Sequence, residues 1–318
     1  MTGKAVPTEL HRHLDVSLRT STVLRLAQER GLEAQSTSLE RFSEKLILRK
    51  PLQDLGTVLA TFSLFQKILD CPEVFEQAAF EGVEDCWNEG TRKAELRFSP
   101  AFITEFNGLA WEEVLDGFER GVQKALQKYP KMKVGLICIA SREYGLEGAE
   151  KTVEFFLKNQ NRFIGLDLAG DEATYPNPIF EAPFQAALRH GAKITIHSGE
   201  ASGPENVWQA IQRLGARRIG HGVRSIQDPM LVQYLAKHQI CLEICPTSNW
   251  LTQAVPTLES HPLPELLRAG VPVCINTDDP GVFGVTLPHE IDVCVRKMGL
   301  TPEEISETFR HASLHSFL

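Results

Sequence analysis

Short apolar runs rich in branched side chains recur along the chain, separated by longer stretches in which apolar residues return every three or four positions. The runs are Glu9–His13, Ala94–Phe98, Val134–Ala140, Phe163–Leu168, Ile194–His197, Arg218–His221, Ile240–Ile244 and Val273–Asn276. They are too short for helices and mostly lack strict polar alternation, as expected of strands buried on both faces. Between them Ala149–Leu157, Pro178–Arg189, Glu205–Leu214 and Pro229–Ala236 carry helical spacing. This alternation predicts an α/β fold with a parallel sheet. Eight such units predict a closed (β/α)8 TIM barrel, with an open doubly wound sheet as the second choice. One barrel fills residues 1–318 as a single domain. The interval between the first two strands is long and holds a helical pattern at Leu55, Val58, Leu59, Phe62, Phe65 and Leu69. That helical insertion reads either as a helix packed on the barrel or as a lid over a pocket.

Composition narrows the function. Apolar residues make up 42% of the chain and charged residues 23%, values of an ordinary globular protein rather than a disordered one. Lys and Arg total 33 against 41 Asp and Glu, a formal charge of -8. Nucleic-acid binding wants a basic face, so a small neutral or cationic ligand suits this balance better. The N-terminal stretch has no signal-type apolar core, and Val134 to Ala140, the purest apolar run, falls far short of the ~20 residues of a membrane span. A cytoplasmic location without membrane contact is the expectation. Seven scattered cysteines, several inside apolar runs, predict buried free thiols. No G-x-G-x-x-G or G-x-x-x-x-G-K-[ST] loop follows any strand, so dinucleotide and P-loop chemistry lack their motif.

In such barrels the active site lies at the C-terminal ends of the strands. The first predicted strand ends His11-Arg12-His13, the fifth ends at His197, the sixth at His221, and the eighth runs into Asp278-Asp279. Residues two apart on a strand share a face, so His11 and His13 enter the barrel mouth together while Arg12 points away. Three histidines and a carboxylate at one rim suit Zn²⁺, with His11, His13, His197 and Asp278 as ligands and water in the open position. His190, His238, His261, His289, His311 and His315 fall on helices or loops, where solvated or capping roles are expected. Glu200 stands three residues past His197, on the loop above the metal. Burial would raise its pKa and suit it to general acid catalysis; the alternative is an acid at a helix N-terminus. Ser198 lacks a G-x-S-x-G elbow, so it is not expected to be a nucleophile.

The chain resembles the adenosine deaminases of the amidohydrolase superfamily. The matching stretches are Glu9-Leu-His-Arg-His-Leu-Asp15, Ala94-Glu-Leu-Arg-Phe-Ser-Pro100, Gly165-Leu-Asp-Leu-Ala-Gly-Asp-Glu172, His197-Ser-Gly-Glu200, Arg218-Ile-Gly-His-Gly222, Cys245-Pro-Thr-Ser-Asn249 and Asn276-Thr-Asp-Asp-Pro280, in the family's order. The resemblance implies a barrel with one catalytic zinc per chain on His11, His13, His197 and Asp278. It implies hydrolytic deamination of adenosine, and of 2′-deoxyadenosine, in purine salvage. Glu200 matches the proton donor to purine N1, His221 the histidine that assists the activated water, and Asp279 the carboxylate beside that water and ring N7. Substrate contacts fall on His13, on Asp15 for the ribose 5′-hydroxyl, on Gly170 for ring N3, on Asp279, and on Leu59 and Phe62 of the family's hydrophobic lid. The family usually has glycine where this chain has Val16, a branched side chain expected to narrow or reshape the ribose end.

Rival readings remain. Adenine deaminases of the superfamily usually have serines where this chain has Leu168-Ala169-Gly170, which favours a nucleoside. A modified adenosine fits the departure at Val16. Two-metal hydrolases usually carry a bridging lysine at the end of strand four, and Asp167 to Asp171 offers none. A non-catalytic nucleoside-binding protein would have lost a ligand or the acid, and none is lost. A deaminase acting on nucleic acid is disfavoured by the acidic charge.

Overall fold

The computed structural model describes residues 6–318. Eight parallel strands alternate with helices: β1 (Thr8–His13), β2 (Lys93–Phe98), β3 (Lys133–Ser141), β4 (Gly165–Ala169), β5 (Thr195–Ser198), β6 (Arg218–His221), β7 (Cys241–Ile244) and β8 (Val273–Ile275). They form two four-stranded sheets, ordered β1-β2-β3-β4 and β5-β6-β7-β8. Two isolated parallel bridges, Leu166 to Ile194 and Arg12 to Asp278, join these sheets into the barrel that the alternation predicts. The strand interiors are buried almost throughout, which is why the runs read as continuously apolar.

The seam between β8 and β1 positions the site. β8 is three residues long and cannot make a full ladder. Instead the backbone N–H of Asp278 donates to the carbonyl of His11, and that of His13 donates to the carbonyl of Asp278, both at 2.9 Å. Side chains complete the seam: the N–H of Leu10 donates to Asn276 Oδ1 at 2.9 Å, and the hydroxyl of Thr277 donates to Glu9 Oε2 at 2.9 Å. The hydrogen bonds that close the barrel therefore set the spacing of three predicted ligands.

Each predicted strand is present, with ends displaced by at most two residues. The predicted helix Pro178–Arg189 is a 3₁₀ turn, Asn177–Phe180, followed by a helix over Glu181–Arg189. Five helices lie between β1 and β2. The pattern from Leu55 to Leu69 is two short helices, Leu55–Ala60 and Ser63–Ile68, broken at Thr61 and Phe62. Strand β1 ends at His13 and the chain turns into a 3₁₀ segment, Leu14–Val16, which carries Asp15. Val16 is buried in the hydrophobic core and does not line the large cavity, so it does not narrow that cavity as expected. All seven cysteines are free, and six of them are buried. Among the described residues no helix is long and apolar enough to cross a membrane.

Candidate active site

Four side chains meet at the C-terminal mouth of the barrel. His11 Nε2 and His13 Nε2 each lie 3.3 Å from Asp278 Oδ1, and His13 Nε2 lies 3.1 Å from His197 Nε2. Two carboxylates below them fix the ring tautomers. His11 Nδ1 donates to Glu243 Oε2 at 2.8 Å, and His197 Nδ1 donates to Asp167 Oδ1 at 3.1 Å. With the protons on Nδ1, both rings turn bare Nε2 lone pairs toward the cavity. His11 Nε2 is buried and has no hydrogen-bond partner. Facing lone pairs beside a carboxylate repel unless a cation lies among them. The 3.1–3.3 Å spacings match the roughly 3.3 Å edge of a tetrahedron with ~2 Å metal–nitrogen bonds. An N3O donor set of this spacing fits zinc.

The carboxylates beneath are tied by two fully buried arginines. Arg97 donates to Asp167 Oδ2 and to Glu243 Oε2, each at 2.7 Å, and Arg218 donates to Glu243 Oε1 at 2.6 Å and to Glu95 Oε2 at 2.7 Å. Burial opposes ionisation of Glu243, but Arg97 and Arg218 hold its pKa well below the usual range. A charged pair of acids accepting from imidazole Nδ1 is the arrangement that strengthens histidine as a metal ligand.

Backbone strain marks the same place. His221 and Asp278 have φ of 60° and 63°, in the left-handed region that non-glycine residues rarely enter. Such a conformation costs on the order of 1–3 kcal/mol and persists only where the surroundings enforce it. Here barrel closure enforces it at Asp278. Gly220 is required because a Cβ there would come within 2.9 Å of His11 Cε1.

Glu200 hangs over the cluster. Its Oε1 accepts from the Thr252 hydroxyl at 2.8 Å, and its Oε2 lies 3.4 Å from His221 Nε2. Burial, reinforced by the charge of Asp278, pushes its pKa up to about 8. The helix that follows begins only at Pro204, so Glu200 is not a residue of that helix. Asp279 is also buried, its Oδ1 has no partner, and burial with the adjacent Asp278 raises its pKa well above the usual carboxylate range.

These residues open into a cavity of about 650 Å³. The sequence-predicted His13, Asp15, Leu59, Phe62, Gly170, His197, Glu200, His221, Asp278 and Asp279 all line it, while His11 lies behind them. Asp15 Oδ2 accepts from the backbone N–H of Ser99 at 3.0 Å, and burial pushes its pKa up to about 7. Leu59 and Phe62, from the insertion, form part of the apolar wall.

Several groups were not legible beforehand. The Glu172 carboxylate accepts from the backbone N–H groups of Gly199, Glu200, Ala201 and Ser202 at 2.5–3.0 Å, clamping the loop that carries Glu200. Glu172 closes one matching stretch, but nothing in its spacing assigns it this role. Glu143 accepts from the N–H of Asp171 at 2.6 Å and packs on Gly170, whose φ is 105° and where a Cβ would overlap that carboxylate. Its place just past β3 was the available signal. His261, expected to be solvated or capping, is not solvated: it is 4% exposed, accepts from the N–H of Leu263 at the start of the next helix, and is hydrogen-bonded to Asn249; His311 is also buried. His190, His238 and His289 are exposed as expected.

The family described as Adenosine deaminase matches residues 7–318. An adenosine deaminase of Aliivibrio fischeri is 38% identical over 300 residues, covering 94% of this chain and 90% of its own. The crystal structure of an adenine deaminase from Arthrobacter aurescens superposes with a TM-score of 0.91 at 27% identity, over 99% of this chain and 94% of that one. An N6-methyl-AMP deaminase from Arabidopsis thaliana gives a TM-score of 0.83 at 27% identity, over 99% and 93% of the two chains.

If Asp167 orients His197 as a ligand, Asp167→Asn should weaken zinc affinity about 10- to 100-fold. Chelator competition measures this directly. Unchanged affinity would reduce Asp167 to a counter-ion of Arg97.

Proposed function

The chain belongs to the adenosine deaminase family, and from that premise we propose that it converts adenosine and water to inosine and ammonia, with 2′-deoxyadenosine as a second substrate. The observation that carries the reading is the convergence of three imidazole Nε2 atoms and one carboxylate under a buried acid in a cavity of nucleoside size. His11, His13, His197 and Asp278 would hold one zinc ion per chain. A zinc held there supplies Lewis acidity and makes water nucleophilic at neutral pH.

The chain's own residues do the rest. Glu200 carries its proton at neutral pH, because its pKa of about 8 lies above it, and can deliver that proton to ring nitrogen N1. Protonation at N1 withdraws electrons from C6 and prepares it for attack by water. His221 and Asp279 flank the reacting oxygen and orient it. The N–H of Gly170 meets ring N3, and the Leu59 and Phe62 wall covers the ring and excludes water.

A nucleoside is favoured over a nucleotide or a free base. Among the described residues lining the cavity there is no Lys or Arg, while Asp15, Glu105, Glu143 and Asp171 all reach it. A 5′-phosphate would meet carboxylates and no compensating cation. A free base would forgo the hydrogen bond that Asp15 offers a 5′-hydroxyl, worth ~1.5–3 kcal/mol if charged.

The test is kcat/KM for adenosine, adenine and AMP. Adenosine should lead, and Asp15→Ala should reduce its turnover about 10- to 100-fold. Preference for adenine or AMP in the native protein would overturn the nucleoside assignment.

The pH dependence follows from Glu200. Its raised pKa keeps the acid form below about 8, so kcat/KM should fall as pH climbs through that value. Glu200→Gln should retain zinc, lose ~10²–10⁴-fold in turnover and lose that basic limb. Near-normal activity in the variant would exclude Glu200 as the proton donor.

A further inference from the structure

The protonation of the His221 ring is decided by a backbone group three residues removed in a hydrogen-bonded chain. His261 Nδ1 lies 3.0 Å from the backbone nitrogen of Leu263. A backbone N–H can only donate, so His261 accepts at Nδ1. Its own ring proton is then on Nε2. Burial agrees with this neutral form, pushing the His261 pKa down to about 3. His261 Nε2 meets Asn249 Oδ1 at 3.2 Å. Because that nitrogen donates, the Asn249 amide must present its oxygen to His261 and its NH2 group to the far side. There Asn249 Nδ2 lies 3.0 Å from His221 Nδ1. An NH2 group donates, so His221 accepts at Nδ1 and holds its single proton at Nε2. The reverse orientation of the amide would oppose two donors at His261 and is excluded by the Leu263 N–H.

We propose that His261 and Asn249 are positioning residues that lock His221 as the Nε2–H tautomer, so that this ring enters the reaction as a hydrogen-bond donor and not as a base. The edge in question faces the cavity. His221 Nε2 lies 3.4 Å from Glu200 Oε2 and 3.9 Å from Asp278 Oδ2, and the rings of His11 and His197 pack against it. A fixed N–H there stabilises negative charge that gathers on the oxygen added to the purine carbon, without giving up its proton. It cannot accept a proton from water at Nε2, since that position is already filled. The catalytic consequence rests on the deaminase reading; the tautomer itself does not.

The experiment is a proton–nitrogen correlation spectrum of the zinc-loaded protein labelled with ¹⁵N-histidine. The His221 signals are identified by their loss in His221→Asn. The native ring should show a protonated Nε2 and a bare Nδ1. Asn249→Asp supplies only acceptors, so it should move the His221 proton to Nδ1. Its adenosine kcat should fall about 10²–10³-fold, as for loss of one charge-stabilising donor, with KM little changed. A native His221 protonated at Nδ1 overturns the proposal even if the variant does not fold. An unmoved tautomer in a folded Asn249→Asp protein overturns the role of Asn249. Failure of the native protein to deaminate adenosine would contradict the functional reading and leave the spectrum to decide the tautomer.

Discussion

The guanidinium of Arg97 is the constraint on which the site depends. It is wholly buried between Asp167 and Glu243, and each of those carboxylates orients one candidate ligand histidine through Nδ1. An unpaired charge at this depth would cost several kcal/mol, so neither acid can relax without exposing the arginine to that penalty. The two acids are therefore held ionised and in place, and the two imidazoles stand above them with Nε2 bare. Arg218 and Glu95 extend the same network to the opposite end of the barrel. There Glu95 Oε1 accepts from the Ser316 hydroxyl at 2.7 Å, and the Arg218 guanidinium lies 3.6 Å over the Phe317 ring. The charged interior links the reactive mouth to the plug at its base.

A second constraint comes from closure. Because β8 is short, the barrel is sealed by hydrogen bonds between Asp278 and the backbone on either side of Arg12. Those bonds hold Asp278 in a left-handed conformation and hold its carboxylate 3.3 Å from two imidazoles. Fold stability and ligand spacing are thus enforced by the same few contacts. The loop above is treated differently: four backbone N–H groups converge on Glu172, so Glu200 is held by an acid that does not line the cavity.

The fold was legible because apolar strands alternating with amphipathic helices leave a periodic trace, and all eight strands fall where that trace puts them. The convergence of His11, His13, His197 and Asp278 was legible because strand ends in a barrel meet at one mouth, so these candidate ligands needed only their strand positions. What escaped is long-range or side-chain specific. Asp15 follows directly on a strand in sequence, and only the structure shows that it sits in a 3₁₀ turn after His13. Val16 departs from the family glycine yet points into the core, a direction that a one-dimensional pattern does not encode. Arg97, Glu243 and Asp167 sit in apolar strands where charge has no visible partner until three strands meet. His261 is a loop residue as expected, but its burial escaped because its partner Asn249 lies twelve residues away in sequence.

The most direct test of the account is a zinc titration of metal-stripped protein with adenosine as substrate, reading inosine formation. Inosine formation should be absent from the stripped protein, rise linearly with added zinc and level off at about one equivalent per chain, the capacity of a single N3O site. Turnover in the stripped protein, or no turnover after zinc is restored to protein shown to bind it, would contradict the account.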